Sequence, residues 1–172
     1  MRPPSIQLQS VIEAFGQQSW HCDRIEGREV IQSQFEAHHT QIQLIAQVFP
    51  ELNALSVIAE TPAAPPPTHQ AAALELLMRA NKQLTLGAFE LDLDRLQLVF
   101  RITNIFERER YDADIVSSMV HCAIAEIDRL TPLLGTLLKT APDLLADLSL
   151  PLLLEREDML PPVPEGHEEE EL

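Results

Sequence analysis

The chain has 172 residues, 45% of them hydrophobic, which suits one domain with a real core and excludes wholesale disorder. Its net charge is −15, of which the last 30 residues, from Asp143, carry −9 and the rest −6, and neither part has the basic stripe that nucleic acid or an anionic membrane demands. No apolar run approaches the ~20 residues of a membrane span, the opening MRPPSIQLQS lacks a signal-peptide core, and Cys22 and Cys122 make no disulfide framework, so the expectation is a cytoplasmic protein with reduced thiols.

In chain order, Ser5 can cap a first helix that puts Leu8, Val11, Ile12 and Phe15 on one face, with Gly16 just past its end. Residues 19–26 (SWHCDRIE) read as a first strand and Gly27 as its turn. Residues 30–37 form a less regular second strand, with Ile31 and Phe35 on one side, and His38-His39-Thr40 turns the chain. Ile42, Leu44, Ala46 and Val48 alternate with polar partners in a third strand; after a turn at 50–53, Leu55, Val57 and Ala59 make a fourth. Short turns between four strands predict an antiparallel meander, and the proline-rich TPAAPPP at 61–67 is a stiff connector.

The stretch 71–106 organises the rest. Thr68 is a candidate N-cap for a helix running to Leu84, on which Leu74, Leu77, Met78, Asn81 and Leu84 share a face while Ala73, Leu76 and Ala80 widen it. The apolar arc covers roughly two-thirds of the circumference, more than one sheet contact needs, so the helix either lies centrally or buries a second face against another chain. Leu76 and Ala80 are the surplus face on that account. The period then changes from 3.6 to 2: Phe89, Leu91 and Leu93 alternate with Glu90 and Asp92, and after a turn at 92–95, Leu96, Leu98, Phe100 and Ile102 alternate with Gln97, Val99, Arg101 and Thr103, which predicts a half-buried hairpin. Gly87 marks a positive φ or a close approach. Asp112 or Asp114 caps a long final helix with Val116, Val120, Ala123, Ile127, Leu130, Leu134 and Leu137 inward and Ser117, His121 and Asp128 outward; Pro132 either kinks it or restarts it behind Thr131. The chain divides into a domain over 1–140 and a tail over 141–172, leucine-rich at 144–154 and acidic at 168–171.

Catalytic constellations are missing from this pattern. His21-Cys22 and His121-Cys122 do not converge as zinc ligands, because adjacent strand residues point to opposite faces. Asp92-Leu93-Asp94 resembles the start of a calcium loop, but its sixth and twelfth places hold Gln97 and Thr103. Met78 and Trp20 read as core, and the glutamate run as a solvated tail. No cofactor and no metal are expected.

The segment RANKQLTLGAFELDLDRLQLVFRITN, followed by a long helix bearing Asp128, Arg129 and Pro132, resembles the YbjN-domain family. The pattern Arg79-Ala80-Asn81, then Gly87-Ala88-Phe89-Glu90-Leu91-Asp92, is closest to its cyanobacterial branch, with Asp94-Arg95 where an Asp-Gly turn is usual and a tail without counterpart. The resemblance implies an α+β fold in the order α-β-β-β-β-α-β-β-α, a meander plus hairpin with helices packed on the sheet, like type III secretion chaperones. It also implies a homodimer, no enzymatic activity and a role in sensory-transduction or stress regulation. The expected function is thus a non-enzymatic protein-binding or chaperone-like regulatory module whose partners are itself and another protein. Leu76, Ala80, Val99 and Arg101 are the candidate partner or dimer surface, and Asn81, Gly87 and Phe89 the structural motif. The alternative is a small-molecule sensor or cryptic enzyme with a pocket between sheet and helices.

Overall fold

The computed structural model describes residues 3–156. Helix α1 (Ile6–Gln17) precedes a short β1 (Asp23–Arg24) and the meander β2 (Val30–Glu36), β3 (Gln41–Phe49) and β4 (Ala54–Pro62). Helix α2 (Pro67–Gln83) leads to the hairpin β5 (Ala88–Asp92) and β6 (Gln97–Ile105), then to α3 (Ala113–Lys139) and a short α4 (Leu150–Leu154). The six strands form one open antiparallel sheet in the order β1-β2-β3-β4-β6-β5. The fold class is α+β, as the alternation predicts, and the hairpin joins through its second strand: β6 pairs with all of β4, Ala54 opposite Ile105 and Pro62 opposite Gln97, which leaves β5 at the edge.

One sheet face is apolar. Ile42, Leu44, Ala46 and Val48 of β3, Leu55, Val57 and Ala59 of β4, and Leu98, Phe100 and Ile102 of β6 share a core with Leu8, Val11 and Phe15 of α1 and with the Val116–Val120–Ala123–Ile127–Leu130–Leu134–Leu137 stripe of α3. The other face lies outside that core and is rich in amides, with Gln32, Gln34, Gln41, Gln43, Gln47 and Gln97 in register around the buried Ile58, Glu60 and Val99. Arg95 closes a two-bond pair with Glu60 there (2.9 and 3.1 Å), which satisfies a carboxylate that burial would otherwise penalise.

Several local readings change. Only Asp23–Arg24 of the expected first strand pairs. Ser19 adopts a φ of +58° and the Trp20 N–H donates to Phe15 O (2.9 Å), so the chain folds back on α1 instead of extending. Trp20 then meets Phe15, Phe35 and His121 edge-to-face. Gly16 lies inside α1, which runs on to Gln17. Thr68 is not the cap of α2: Pro66 holds that position and Pro67 begins the helix, where a missing N–H costs nothing. Helix α3 runs unbroken past Pro132, capped at its start by Asp112. Ser117 and Asp128 face inward rather than outward; Asp128 accepts the His39 N–H (2.6 Å), with His39 Nδ1 at 3.3 Å from the other carboxylate oxygen, and so ties the β2–β3 turn to α3.

The buried side of α2 is also rotated from the sequence reading. His69, Ala73, Leu76, Leu77 and Ala80 face inward, whereas Leu74 is 42% exposed and Met78, expected in the core, 69% exposed. Ala73 and Ala80 let α2 lie close to α3 and β5 with Leu76 and Leu77 filling the space between, while Leu74 and Met78 turn outward. Beyond α3, a 3-10 turn (Pro142–Asp147) and α4 pack on α2, with Leu150 and Leu153 inside the core cluster. The acidic run at 168–171 falls outside the described residues.

Leu98→Ala and Phe100→Ala, both fully buried, are expected to cost about 2–5 kcal/mol each in urea titrations, with Gln97→Ala nearly neutral; equal losses at Gln97 and Leu98 would mean the strand phase is wrong. The sole tyrosine, Tyr111, stacks on Phe106 with centroids 4.0 Å apart and donates to Ala54 O (3.3 Å), and burial pushes its phenol up to about 12. Its folded value lies above the unfolded value of about 10, so the stability it contributes is complete below pH ~10 and is lost as pH rises from there through about 12. Alkaline absorbance titration should show no phenolate until that window, and ionisation near pH 10 in the folded state would contradict the burial.

Candidate functional site

The joint between α2 and β5 shapes the most open part of the structure. Asn81 Oδ1 accepts the Phe89 N–H (2.6 Å) and Asn81 Nδ2 donates to Phe89 O (3.0 Å). Odd-numbered residues of β6 turn their N–H and C=O toward β5, because the even-numbered ones serve β4: Phe106 N–H donates to Asn53 O and Leu96 O accepts from Ala63 N–H, both at 2.8 Å. Ala88 and Glu90 therefore bond to Arg101 and Val99, Phe89 turns its backbone away from the sheet, and the Asn81 amide replaces the missing neighbour strand. Gly87, at a φ of +75°, lets the chain leave β6 at this point: a Cβ there would lie 2.5 Å from Phe100 Cζ and 2.8 Å from Arg101 O.

Strand β5 consequently stops opposite Arg101, while β6 continues to Ile105. Thr103 and Ile105 aim their backbone groups at the vacated side, and among the described residues no backbone hydrogen bond outside the ladders reaches either. Alongside runs a groove of about 340 Å³ lined by Leu86, Ile102, Thr103, Asn104, Asp114, Ile115, Ser118, Met119 and Cys122. Its floor is apolar, and Leu86 in its lining is 63% exposed. By strand parity Ile102 and Asn104 point toward α3 and Thr103 to the other face, where its hydroxyl donates to Ser56 Oγ (3.0 Å). A half-edge over an apolar trough is the geometry that accepts an added strand. The other long open edge, along β2, is flanked by the exposed Gln34 and Glu36.

The expected surface residues lie elsewhere. Leu76 and Ala80 are fully buried against their own chain and offer no surface to a partner. Val99, 4% exposed, belongs to the helix-free sheet face, and Arg101 on that face is engaged by Glu90 (2.9 and 3.3 Å). The exposed apolar residues of α2 are Leu74 and Met78. None of these four expected residues lines the groove. The missed residues left one signal in the sequence: the apolar alternation of the second hairpin strand, Leu96 to Ile102, runs two residues longer than that of the first, Phe89 to Leu93.

The groove holds no activated nucleophile. Burial pushes the Cys122 thiol up, Glu126 adding to the effect, and burial with Asp23 does the same to Cys22. Among the described residues no three His, Cys, Asp or Glu side chains are placed to hold a metal ion, and no helix is long and apolar enough to cross a membrane. A second concavity, about 530 Å³, lies on the amide-rich sheet face and includes Gln34, Gln41, Gln43, Glu60 and Gln97.

The described residues form a one-sided antiparallel sheet with an open half-edge beside an apolar groove. The family model described as "putative bacterial sensory transduction regulator", YbjN, matches residues 7–135, and the chain belongs to that family. The solved structure titled as YbjN, a putative transcription regulator from E. coli, superposes with a TM-score of 0.50 at 9% identity, covering 72% of this chain and 92% of that one, which is a likeness of fold. No curated protein sequence matches the chain. The family description is of a regulator and not of an enzyme.

Asn81→Ala should leave both Phe89 backbone groups without their partner and cost about 1–3 kcal/mol. Gly87→Ala should cost at least as much, since the added methyl meets backbone at a positive φ. Hydrogen exchange in both variants should rise first at Ala88–Asp92; unchanged exchange there would show that the joint does not hold β5.

Proposed function

We propose that this protein is a non-enzymatic, cytoplasmic regulatory module that binds extended segments of a partner protein by strand addition along Thr103–Ile105. The observation that carries the reading is the pair of unmet backbone positions two residues apart beside the apolar groove. An incoming strand gains main-chain hydrogen bonds from them and drops alternate apolar side chains between Ile102, Ile115 and Met119. With 27 acids against 12 bases, and Asp114 at the groove, the chain favours a segment flanked by Lys or Arg. The likeness to type III secretion chaperones inferred from the sequence supports the same reading by analogy. In this proposal the protein acts as a homodimer, with Leu74 and Met78, the exposed apolar side chains of α2, in the contact between copies. The small-molecule alternative has two points in its favour, the groove itself, which lies between β6 and α3, and the buried Gln97 Oε1 with no hydrogen-bond partner among the described residues; against it stands the lack of convergent charged groups in the groove lining, where Asp114 is the one charged side chain.

Selection of short peptides displayed against the full chain should enrich apolar residues at i and i+2 with basic flanks. Binding should vanish in Ile105→Pro, which removes an edge N–H at an exposed position and leaves the β4 ladder intact. Peptides that bind both forms equally would place the site elsewhere. Light scattering at micromolar concentration should give twice the 19.3 kDa chain mass, and Met78→Glu should halve it; a monomeric wild type would remove the dimer from the proposal.

A further inference from the structure

The segment that follows α3 is held differently from the rest of the molecule. Its backbone hydrogen bonds are local: Leu144 to Ala141, Leu148 to Leu145, Leu153 to Ser149 and Glu155 to Leu152. Among the described residues, the contacts that join residues 142–154 to the body are apolar, and a polar tie lies just before them, where His69 Nε2 meets Thr140 O at 2.7 Å. Helix α4 has five residues and begins with a proline in its first turn, too short to persist alone. What keeps it on α2 is apolar contact: Leu150 and Leu153 are buried and Leu145, Leu148 and Leu154 pack at the margin of the core. The segment also lies beyond residue 135, where the family match ends.

We propose that the surface of α2 beneath residues 142–154 is a second docking strip, that this strap is its resting occupant, and that its regulated occupant is an amphipathic, leucine-bearing helical segment of a partner protein. The strap's own chemistry defines the ligand: leucines three residues apart on a single helical turn, needing no hydrogen bond from the surface that receives them. A segment secured by side-chain burial alone opens at lower cost than the sheet it covers. While it is closed, the affinity of the strip for a competitor is reduced by the fraction of molecules that are open. The inference is independent of strand addition at β6, which uses a different edge and different elements.

The test uses the full chain carrying Leu150→Asp with Leu153→Asp and, as probe, a fluorescent synthetic peptide of residues 141–156. Hydrogen exchange first establishes that the sheet and α3 of the variant stay protected. Fluorescence anisotropy should then show saturable binding of the peptide to the variant, about tenfold or more tighter than to the wild-type chain, and none for a peptide carrying the same two substitutions. A folded variant that ignores the peptide overturns the proposal, as does a wild-type chain that binds it equally well. A wild-type dimer in which straps are exchanged between copies would also overturn it. If the double variant loses its fold, Leu153→Ala decides: faster exchange confined to 142–154 supports a separately opening strap, and faster exchange throughout refutes it.

Discussion

The exchange of hydrogen bonds between the Asn81 side chain and both backbone groups of Phe89 governs the shape of this molecule. A sheet edge must be paired, covered or hydrated, and here one side-chain amide meets both outward backbone groups of Phe89 in β5 while fixing the end of α2 against it. Because Gly87 can adopt a φ of +75° in contact with Phe100 and Arg101, the chain reaches that point without displacing β6. Any side chain at Gly87 would push β5 away from its partner, and any residue without both a donor and an acceptor at Asn81 would leave half of the edge unmet. The same joint that closes the β5 edge ends the strand early, and so opens the β6 edge beside it.

Remote segments are pinned by a few polar ties, each joining parts of the chain far apart in sequence. Asp128 accepts from His39, Glu60 pairs with Arg95, His69 meets Thr140, and the Tyr111 N–H donates to Ser10 Oγ (3.0 Å). Breaking one partner of such a contact leaves a buried polar group unmet, so these ties specify register more than they add stability. The strap after α3 makes none of them, and the Thr103–Ile105 edge makes only the hydroxyl bond to Ser56 on its far side. The two surfaces proposed as docking sites lack such ties: at Thr103–Ile105 two backbone positions have no ladder partner on the β5 side, and the strap is held by apolar contact. Exchangeable contacts must be weaker than the scaffold that displays them.

What the amino-acid sequence determined by itself is the set of local periods and stops. Alternation in β3, β4 and β6 fixed which residues face the helices, because a shift by one residue would turn every apolar side chain to the other face. Ser5, Asp112, Gly87 and the prolines set element ends through capping and φ, which are local properties, and the motif from Arg79 to Asp92 placed the chain in its family. Tertiary structure decided what depends on neighbours. Which of the two apolar arcs of α2 is buried follows from the fit of Ala73, Leu76, Leu77 and Ala80 against α3 and β5, so Leu76 and Ala80 went inward and Leu74 and Met78 outward. Trp20 left the expected first strand because three rings were waiting for it on α1, β2 and α3. Asp128 turned inward because a turn 89 residues earlier presented a free N–H. The groove beside β6 exists because β6 pairs with β4 and outruns β5, a relation between strands that no single segment encodes.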